Sequence, residues 1–335
     1  MTQDGHRPRS SALRARLRAW ALQLLVVALV MAGLAWLVGN ALAQLRLRGA
    51  QAGFDFLGQP AGFSIGEGWF SDASGQSMAM AFVAGLLNTL RVALPGMLLA
   101  TLLGTLIGIG RTLPQGFVRR LCGGYVETVR NVPLLVQLLM VYFALTHLLP
   151  DPAAPLQWGP LFLSKVGLAL PWWVWGDGVW QWEVPTLEGF GLMGGFTLTP
   201  EYLSLLTGLV VYTAAFVAET VRAGLQSVPQ GQKEAAQALG LRAAQQLRHV
   251  VLPQALRVVL PPLGNQMLNL TKNSSLAVAI GYPDLVSVAN TALNQTGRAF
   301  ECIAVLMAVY LALSLLTAAL LHAWNARVMR PGQRA

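Results

Sequence analysis

Charge is sparse in this 335-residue chain: only 11% of its residues are Asp, Glu, Lys or Arg, while 55% are hydrophobic. A soluble domain carries roughly 25% charged residues, so a soluble globule is excluded. Cysteine and histidine are scarcer still, at two and four residues. Cys122 and Cys302 fall near opposite ends of the apolar segments described below, too far apart for a disulfide. Neither has ligand company, so no metal site is expected, and both read as packing residues. His147 and His322 stand singly near segment ends and read as interface residues. A membrane enzyme would need a convergent nucleophile, base or metal set, which these scattered residues do not supply. No Gly-Lys dipeptide occurs anywhere, which excludes the Gly-rich phosphate loop that ends in Gly-Lys-Ser/Thr.

What is present is a series of apolar runs. A bilayer core takes roughly 20 helical residues. Five runs approach or exceed that length: Ala21 to Val38, Val92 to Gly110, Val132 to Leu149, Tyr202 to Ala218 and Cys302 to Ala323. A sixth, Val258 to Ile280, is broken by Pro261, Pro262, Asn265, Asn269, Lys272 and Asn273. Six spans are expected.

The formal net charge of +9 could suggest nucleic acid, but its placement points to topology. Arg7, Arg9, Arg14, Arg16 and Arg18 precede the first span; Arg111, Arg119 and Arg120 follow the second; Arg222, Lys233, Arg242 and Arg248 follow the fourth; Arg327, Arg330 and Arg334 close the chain. The opposite side carries Arg46, Arg48 and Lys165. By the positive-inside rule both termini are cytoplasmic, and no nucleic-acid partner is expected. The first apolar run lacks a small-x-small cleavage site before Asn40 and reads as a retained anchor.

The most polar interruption is GQKEAAQALGLRAAQQLRHVVLP, from Gly231 to Pro253. Lys233 to Leu239 favours helix, since no β-branched residue interrupts it. Gly240 ends a helix cheaply because it reaches the left-handed conformation without a Cβ penalty. Ala243 to Val251 reads as a second short helix, limited by Pro253. The spacing of Glu234, Ala235, Ala236, Gly240, Val250, Leu252 and Pro253 resembles the EAA loop in membrane subunits of bacterial ATP-binding-cassette importers.

That resemblance runs from about Gly85 to Ala323, starting near Asn88-Thr89-Leu90-Arg91. It implies an all-α type I importer transmembrane domain with a five-helix core plus one extra N-terminal transmembrane helix. It further implies that Glu234, Ala235, Ala236, Gly240, Leu252 and Pro253 couple to a separate cytoplasmic ATP-binding subunit. The chain itself would hold no cofactor, ATP being bound by that partner. The other implied partners are a periplasmic amino-acid-binding protein, a second homologous permease subunit forming a heterodimer, and the lipid bilayer. Tyr125 to Gln137 resembles the polar amino-acid permease signature. Its Arg130-Asn131-Val132-Pro133, where Arg-Gly-Thr-Pro is common, looks like the general L-amino-acid branch. The implied cargo is a broad set of L-amino acids, acidic and amide ones included.

Two i, i+3 pairs, Glu127 with Arg130 and Glu219 with Arg222, can each form a structural ion pair on one helix face. Lys272 is costly inside a span, at roughly 2.5–3.5 kcal/mol on insertion scales. It can face a translocation path, pair with a carboxylate or snorkel. Asn265, Asn269, Asn273, Ser274 and Ser275 are spaced to share a polar face with it. Pro283-Asp284-Leu285 after Gly281 marks a turn into an outer helix.

The expected organisation is therefore a tail and anchor over residues 1–42, an irregular periplasmic Gly-rich segment over 43–77 and a transmembrane domain over 85–323. A cytoplasmic tail closes the chain over 324–335. The transmembrane domain contains a periplasmic Trp-rich insertion (150–200) and the coupling loop (223–256). The insertion's tryptophans suit interfacial anchoring or part of a dock for the external binding protein. The rival function is an ion-coupled secondary transporter, which would show inverted repeats with paired broken helices. This chain has one broken segment and no counterpart in its first half.

Overall fold

The computed structural model describes residues 9–47, 53–68, 75–176, 178–189 and 191–329, in two units, Met1–Phe54 and Asp55–Ala335. Arg7, Arg48, Arg330 and Arg334 lie outside the described residues, as do the side chains of Arg9, Arg14, Arg16, Arg46, Arg327 and His322. The first unit is one helix, α1 (Arg9–Leu47), whose Trp20–Asn40 stretch is long and apolar enough to cross a membrane. Its leucines and valines there are exposed, as suits a helix solvated by lipid.

The second unit begins with an irregular segment and then α2 (Met78–Gly110), capped by the Ser77 hydroxyl, which accepts from the Met80 amide. Gly96, Ala100, Gly104 and Gly108 recur every fourth residue and are buried. Leu94, Leu98, Leu102 and Leu106 are exposed. The small stripe packs on α5 (Pro200–Gln226). A Cβ on Gly104 would stand 2.6 Å from the Val217 Cβ, and one on Gly108 2.7 Å from the Ala218 carbonyl oxygen. Small residues at this period let membrane helices approach until dispersion contacts are dense.

Between α2 and α5, α3 (Gly116–Asn131) and α4 (Leu134–Phe143) meet at a bend of 102°. Pro133 makes the corner, since its ring prevents the helix from running through it. The Gln137 side-chain amide closes it, donating to the Val129 and Val132 carbonyls at 2.8 and 2.9 Å. Carbonyls at a helix C-terminus need such partners. After α4 the chain takes one π-helical turn, Ala144–Leu148.

The insertion forms strands, which its Pro and Gly punctuation did not suggest. β1 (Leu156–Trp158), β2 (Leu161–Ser164), β3 (Gly167–Leu170) and β8 (Phe196–Leu198) make an antiparallel sheet in the order β1-β2-β3-β8. β4 (Trp172–Gly176) pairs with β5 (Val179–Glu183), and β6 (Thr186–Glu188) with β7 (Gly191–Met193). In the β4–β5 ribbon Trp173 opposes Trp182 and Trp175 opposes Trp180, each edge-to-face at 5.3 Å. Cross-strand aromatic pairs of this kind stabilise a ribbon.

Beyond α5 lie α6 (Gln230–Ala238), α7 (Ala243–Gln246) and a π-helical turn, Leu247–Val251, that runs directly into α8 (Leu252–Asn273). Pro253 does not stop the helix as expected. It is the second residue of α8, directly after the π turn, whose i→i+5 bonds already interrupt the i→i+4 ladder where the proline lacks an N–H. Pro261 and Pro262 likewise lie within α8, so the sixth span is a continuous helix to Asn273, followed by a 3-10 stretch to Ile280. The last helices are α9 (Leu285–Thr296), capped by Asp284, and α10 (Ala299–Met329). Among the described residues four helices can each cross a membrane, and the bent α3–α4 and α7–α9 pairs bring the number to six.

A buried polar junction fixes one end of this bundle. The Asn88 amide donates to the Glu67 and Pro283 carbonyls, and the Tyr282 hydroxyl donates back to the Asn88 carbonyl. Arg91 pairs with Glu67 at 3.2 Å and lies over the Phe196 and Tyr202 rings. The Thr199 hydroxyl donates to the same carboxylate at 2.6 Å. Burial pushes the Glu67 carboxyl above its ordinary pKa, and Thr199 and Arg91 pull it back. The described part of the Gly-rich segment is therefore tied down: Phe56, Ala61 and Ile65 are buried with residues of α2 and α9.

If the α2–α5 contact governs stability, Gly104→Val in the detergent-solubilised chain will lower thermal stability by about 1–3 kcal/mol, the usual overpacking cost. Gly116→Ala, with open space at its Cβ, serves as the control. Equal melting of both variants would show that the helices do not approach this closely.

Candidate coupling surface and polar clefts

The segment from Gln230 to Leu252 builds its surface from a few backbone bonds. α6 ends in a Schellman motif: the Gly240 amide donates to the Gln237 carbonyl at 2.8 Å and the Leu241 amide to the Ala236 carbonyl at 3.1 Å. Gly240 has φ +76°, the left-handed conformation that a Cβ penalises by roughly 1–2 kcal/mol. The chain then turns into α7, where the Arg242 amide is capped by the Gln245 side-chain oxygen at 2.9 Å. Ala236 alone of α6 is buried. Glu234, Ala235 and Gly240 are exposed, and Leu239 is 81% exposed. Leu252 and Pro253 are exposed at the start of α8. A large apolar side chain in water beside small neighbours is the pattern of a surface made to be covered.

Behind this face lies a cleft of about 490 Å³ lined by Ile109 of α2 and Leu113 just after it, Leu225 and Gln226 of α5, Lys233 and Leu247 of the loop, and Leu252 of α8. The Gln254 side chain donates to the Gln232 oxygen and to the Val250 carbonyl, tying α8 to α6. Val228, 4% exposed, seats the link between α5 and α6. Both bundle helices are thus mechanically joined to the exposed one.

The charged pairs differ from one another. Glu219 accepts from Arg222 of its own helix and from Arg111 at the end of α2, so that pair becomes a three-residue bridge between α2 and α5. Glu127 and Arg130 do not pair: among the described residues no ion pair links them, and the Arg130 guanidinium lies 5.0 Å over the Phe216 ring. The ring face of α5 attracts the cation and draws it away from Glu127. Tyr125, from the same signature, donates to the Val211 carbonyl at 2.6 Å.

The polar residues of α8 do not share one face. Asn269 and Asn273 line a cleft of about 260 Å³ against α5, with Gln266, Tyr212, Thr213 and Phe216. Lys272 and Ser275 line a separate, larger hollow of about 710 Å³ against α10, where Met307, Tyr310, Leu311 and Ser314 supply the far wall. Successive helix positions are ~100° apart, so Lys272 and Asn273 diverge. The Ser274 hydroxyl is buried and donates to the Thr271 carbonyl; that of Ser275 donates to the Lys272 carbonyl. Asn265 is exposed. Lys272 forms no ion pair among the described residues. The sequence reading missed Gln266 and the α5 residues, although Gln266-Asn269-Asn273 has the i, i+3, i+7 spacing of one helical stripe.

α5 and α8 approach very closely at Gly224, and Val217 and Val221 of α5 pack with Val259, Leu263 and Met267 of α8 beyond it. A Cβ on Gly224 would stand 2.3 Å from Val259 Cγ2. Eleven residues earlier, or ~16 Å along the helix, Thr213 faces the amide-lined cleft.

The profile for binding-protein-dependent transport system inner membrane components matches residues 96–331. The chain is 39% identical to YhdX of Escherichia coli K12, provisionally named an amino-acid ABC transporter permease, over 93% of this chain and 94% of that one. It is 36% identical to the general L-amino acid transport system permease AapQ of Rhizobium johnstonii, over 96% and 94%. Among solved structures, an amino acid ABC transporter superposes with a TM-score of 0.56 at 27% identity, covering 74% of this chain and 94% of the other. The MetNI methionine ABC transporter, at 18% identity and a TM-score of 0.53, shares the fold over 75% and 98%. The chain accordingly belongs to the binding-protein-dependent transport system inner membrane components, as an amino-acid ABC permease of the general L-amino-acid branch with a type I importer transmembrane domain.

Proposed function

We propose that this multi-pass inner-membrane permease carries L-amino acids inward by alternating access, driven through Gln230–Ala238 by a cytoplasmic ATPase that holds the ATP. The observation that carries the proposal is the joined construction of the exposed helix. α6 follows α5 after a three-residue link, Ser227 to Pro229, seated by the buried Val228, and is tied to α8 through Gln232 and Gln254. A push on the face formed by Glu234, Ala235, Leu239 and Gly240 therefore reaches the two helices that flank the Asn269–Asn273 cleft. The partner's closure on ATP supplies the energy difference between states, since a ligand shifts an equilibrium only by its differential affinity.

In this mechanism the Gly224–Val259 contact is the fulcrum, and the cleft beyond it opens and shuts. Gln266, Asn269 and Asn273 offer amide donors and acceptors to an amino-acid backbone and to acidic or amide side chains alike, which suits a broad cargo. Lys272, in its own hollow with Ser275, would attract a carboxylate. The termini lie in the cytoplasm, on the coupling side. A second, homologous but different permease subunit completes the path, and a periplasmic amino-acid-binding protein delivers the cargo.

Gly240→Val, placed where φ is +76°, should leave the amount of chain in the membrane unchanged. It should cut ATP-dependent uptake of labelled glutamine at least tenfold in vesicles holding the full transporter. Uptake equal to wild type would remove the coupling role. Replacing Asn269 and Asn273 together by Leu should raise the KM for glutamine several-fold while ATPase co-purification persists, because only the cleft is altered. An unchanged KM would take the passage out of that cleft. Lys272→Gln separates the two hollows: a path confined to the amide cleft predicts near-normal glutamine uptake. A severe loss would transfer the substrate contact to the α8–α10 hollow.

A further inference from the structure

Where α2 ends, α3 passes and α5 leaves the bundle, there is a fourth hollow, of about 500 Å³, walled by Arg111, Arg119, Arg120, Arg222, Glu127 and Gln226. Gly123 and Gly124 form part of its lining and leave open space where side chains would stand. Its charges do not cancel. Glu219 engages both Arg111 and Arg222 and holds them at the hollow. The side chains of Arg119 and Arg120 make no hydrogen bond or ion pair among the described residues. Against four guanidinium groups stand the carboxylates of Glu127 and Glu219, a surplus of two positive charges. A concave, partly desolvated site with that surplus favours an anion, and guanidinium forks match phosphate oxygens in pairs.

We propose that this hollow binds the phosphate of an anionic phospholipid from the cytoplasmic leaflet. Free phosphate shares the chemistry, but three features favour the lipid. First, α3 stands at 102° to α4; with α4 crossing the membrane, α3 runs along its surface. Secondly, the turns that carry Arg119 and Arg120 also carry Phe117, Val118 and Leu121, at 75%, 37% and 59% exposure. This is the arrangement of an interfacial helix with apolar side chains at acyl depth and cations at headgroup depth. Thirdly, Arg111 is the first residue past the apolar run of α2, so the hollow opens at the level where hydrocarbon gives way to headgroups. A docked ATPase has its own surface across Gln226, which lines both this hollow and the coupling cleft. Basic pockets between helices on the cytoplasmic side suit such headgroups. The inference rests on the coupling side being cytoplasmic.

The test counts lipids retained by the full chain, purified in neutral detergent and titrated with phosphatidylglycerol or phosphatidylcholine, by native mass spectrometry. Wild type should prefer phosphatidylglycerol. R119Q/R120Q should reduce that preference about thirtyfold, from about fivefold per arginine charge near an anionic surface, and R119K/R120K should retain most of it. Glu127→Gln, which removes the opposing carboxylate, should strengthen the preference, a gain that misfolding cannot imitate. Equal retention of the two lipids, or no change in R119Q/R120Q, would overturn the proposal. So would displacement of the lipid by millimolar inorganic phosphate, which would make the hollow a soluble-anion site. Gly240→Val should leave lipid retention intact, so failure of coupling and failure of this site are read separately.

Discussion

The approach of α2 to α5 is the constraint on which the remaining arrangement depends. In a bilayer, helices gain nothing by hiding hydrocarbon from water, so association rests on dispersion contacts and on polar groups that need partners. Gly104 and Gly108 supply the first by letting Val217 and the Ala218 carbonyl come within contact distance of the α2 backbone. Glu219 supplies the second by holding Arg111 and Arg222 where the two helices end. With that pair fixed, α8 packs on α5 through Gly224, and the amide cleft is what remains open beyond the contact.

At the opposite end of α2 the polar junction holds by a different balance. Arg91 is half-buried, with one buried guanidinium nitrogen, Nη2, lacking any hydrogen-bond partner, a cost offset by Glu67 and by two aromatic faces. Breaking one member of such a group would leave an uncompensated charge inside the protein. The same carboxylate accepts from Thr199, the cap of α5, so the junction joins the segment before α2, α2 itself and α5. Both ends of the α2–α5 pair are thus fastened by an acid shared between basic or hydroxyl groups of different elements.

The spans were legible because hydropathy is a local property, and the stop at Gly240 was legible because one residue type meets one backbone requirement. The pairing of Glu127 with Arg130 was not. Spacing showed that the two can meet, but whether they do depends on Phe216, 86 positions away from Arg130 in the chain. The split of Asn269 and Lys272 between two clefts was recoverable from helical phase, had each residue been assigned an angle instead of a neighbourhood. The ribbon was recoverable too: Trp173, Trp175, Trp180 and Trp182 alternate with period two around Gly176 and Gly178, a strand pattern that composition obscured. The arginine hollow was hidden differently, because Arg111, Arg119 and Arg120 were already accounted for by topology.

The π turn at Leu247–Val251 adds one residue to a helical circuit without breaking the rod. Each residue added to or removed from a continuous helix rotates everything beyond it by ~100°. The turn therefore acts as a phase adjuster between the exposed loop and α8. Its length decides which face of α8 meets α5 and which meets α10 once the loop is held by a partner. A one-residue deletion there could leave the rod, the proline positions and the apolar run intact while exchanging the walls of the two clefts. Within this helix, angular register carries information that neither composition nor length records.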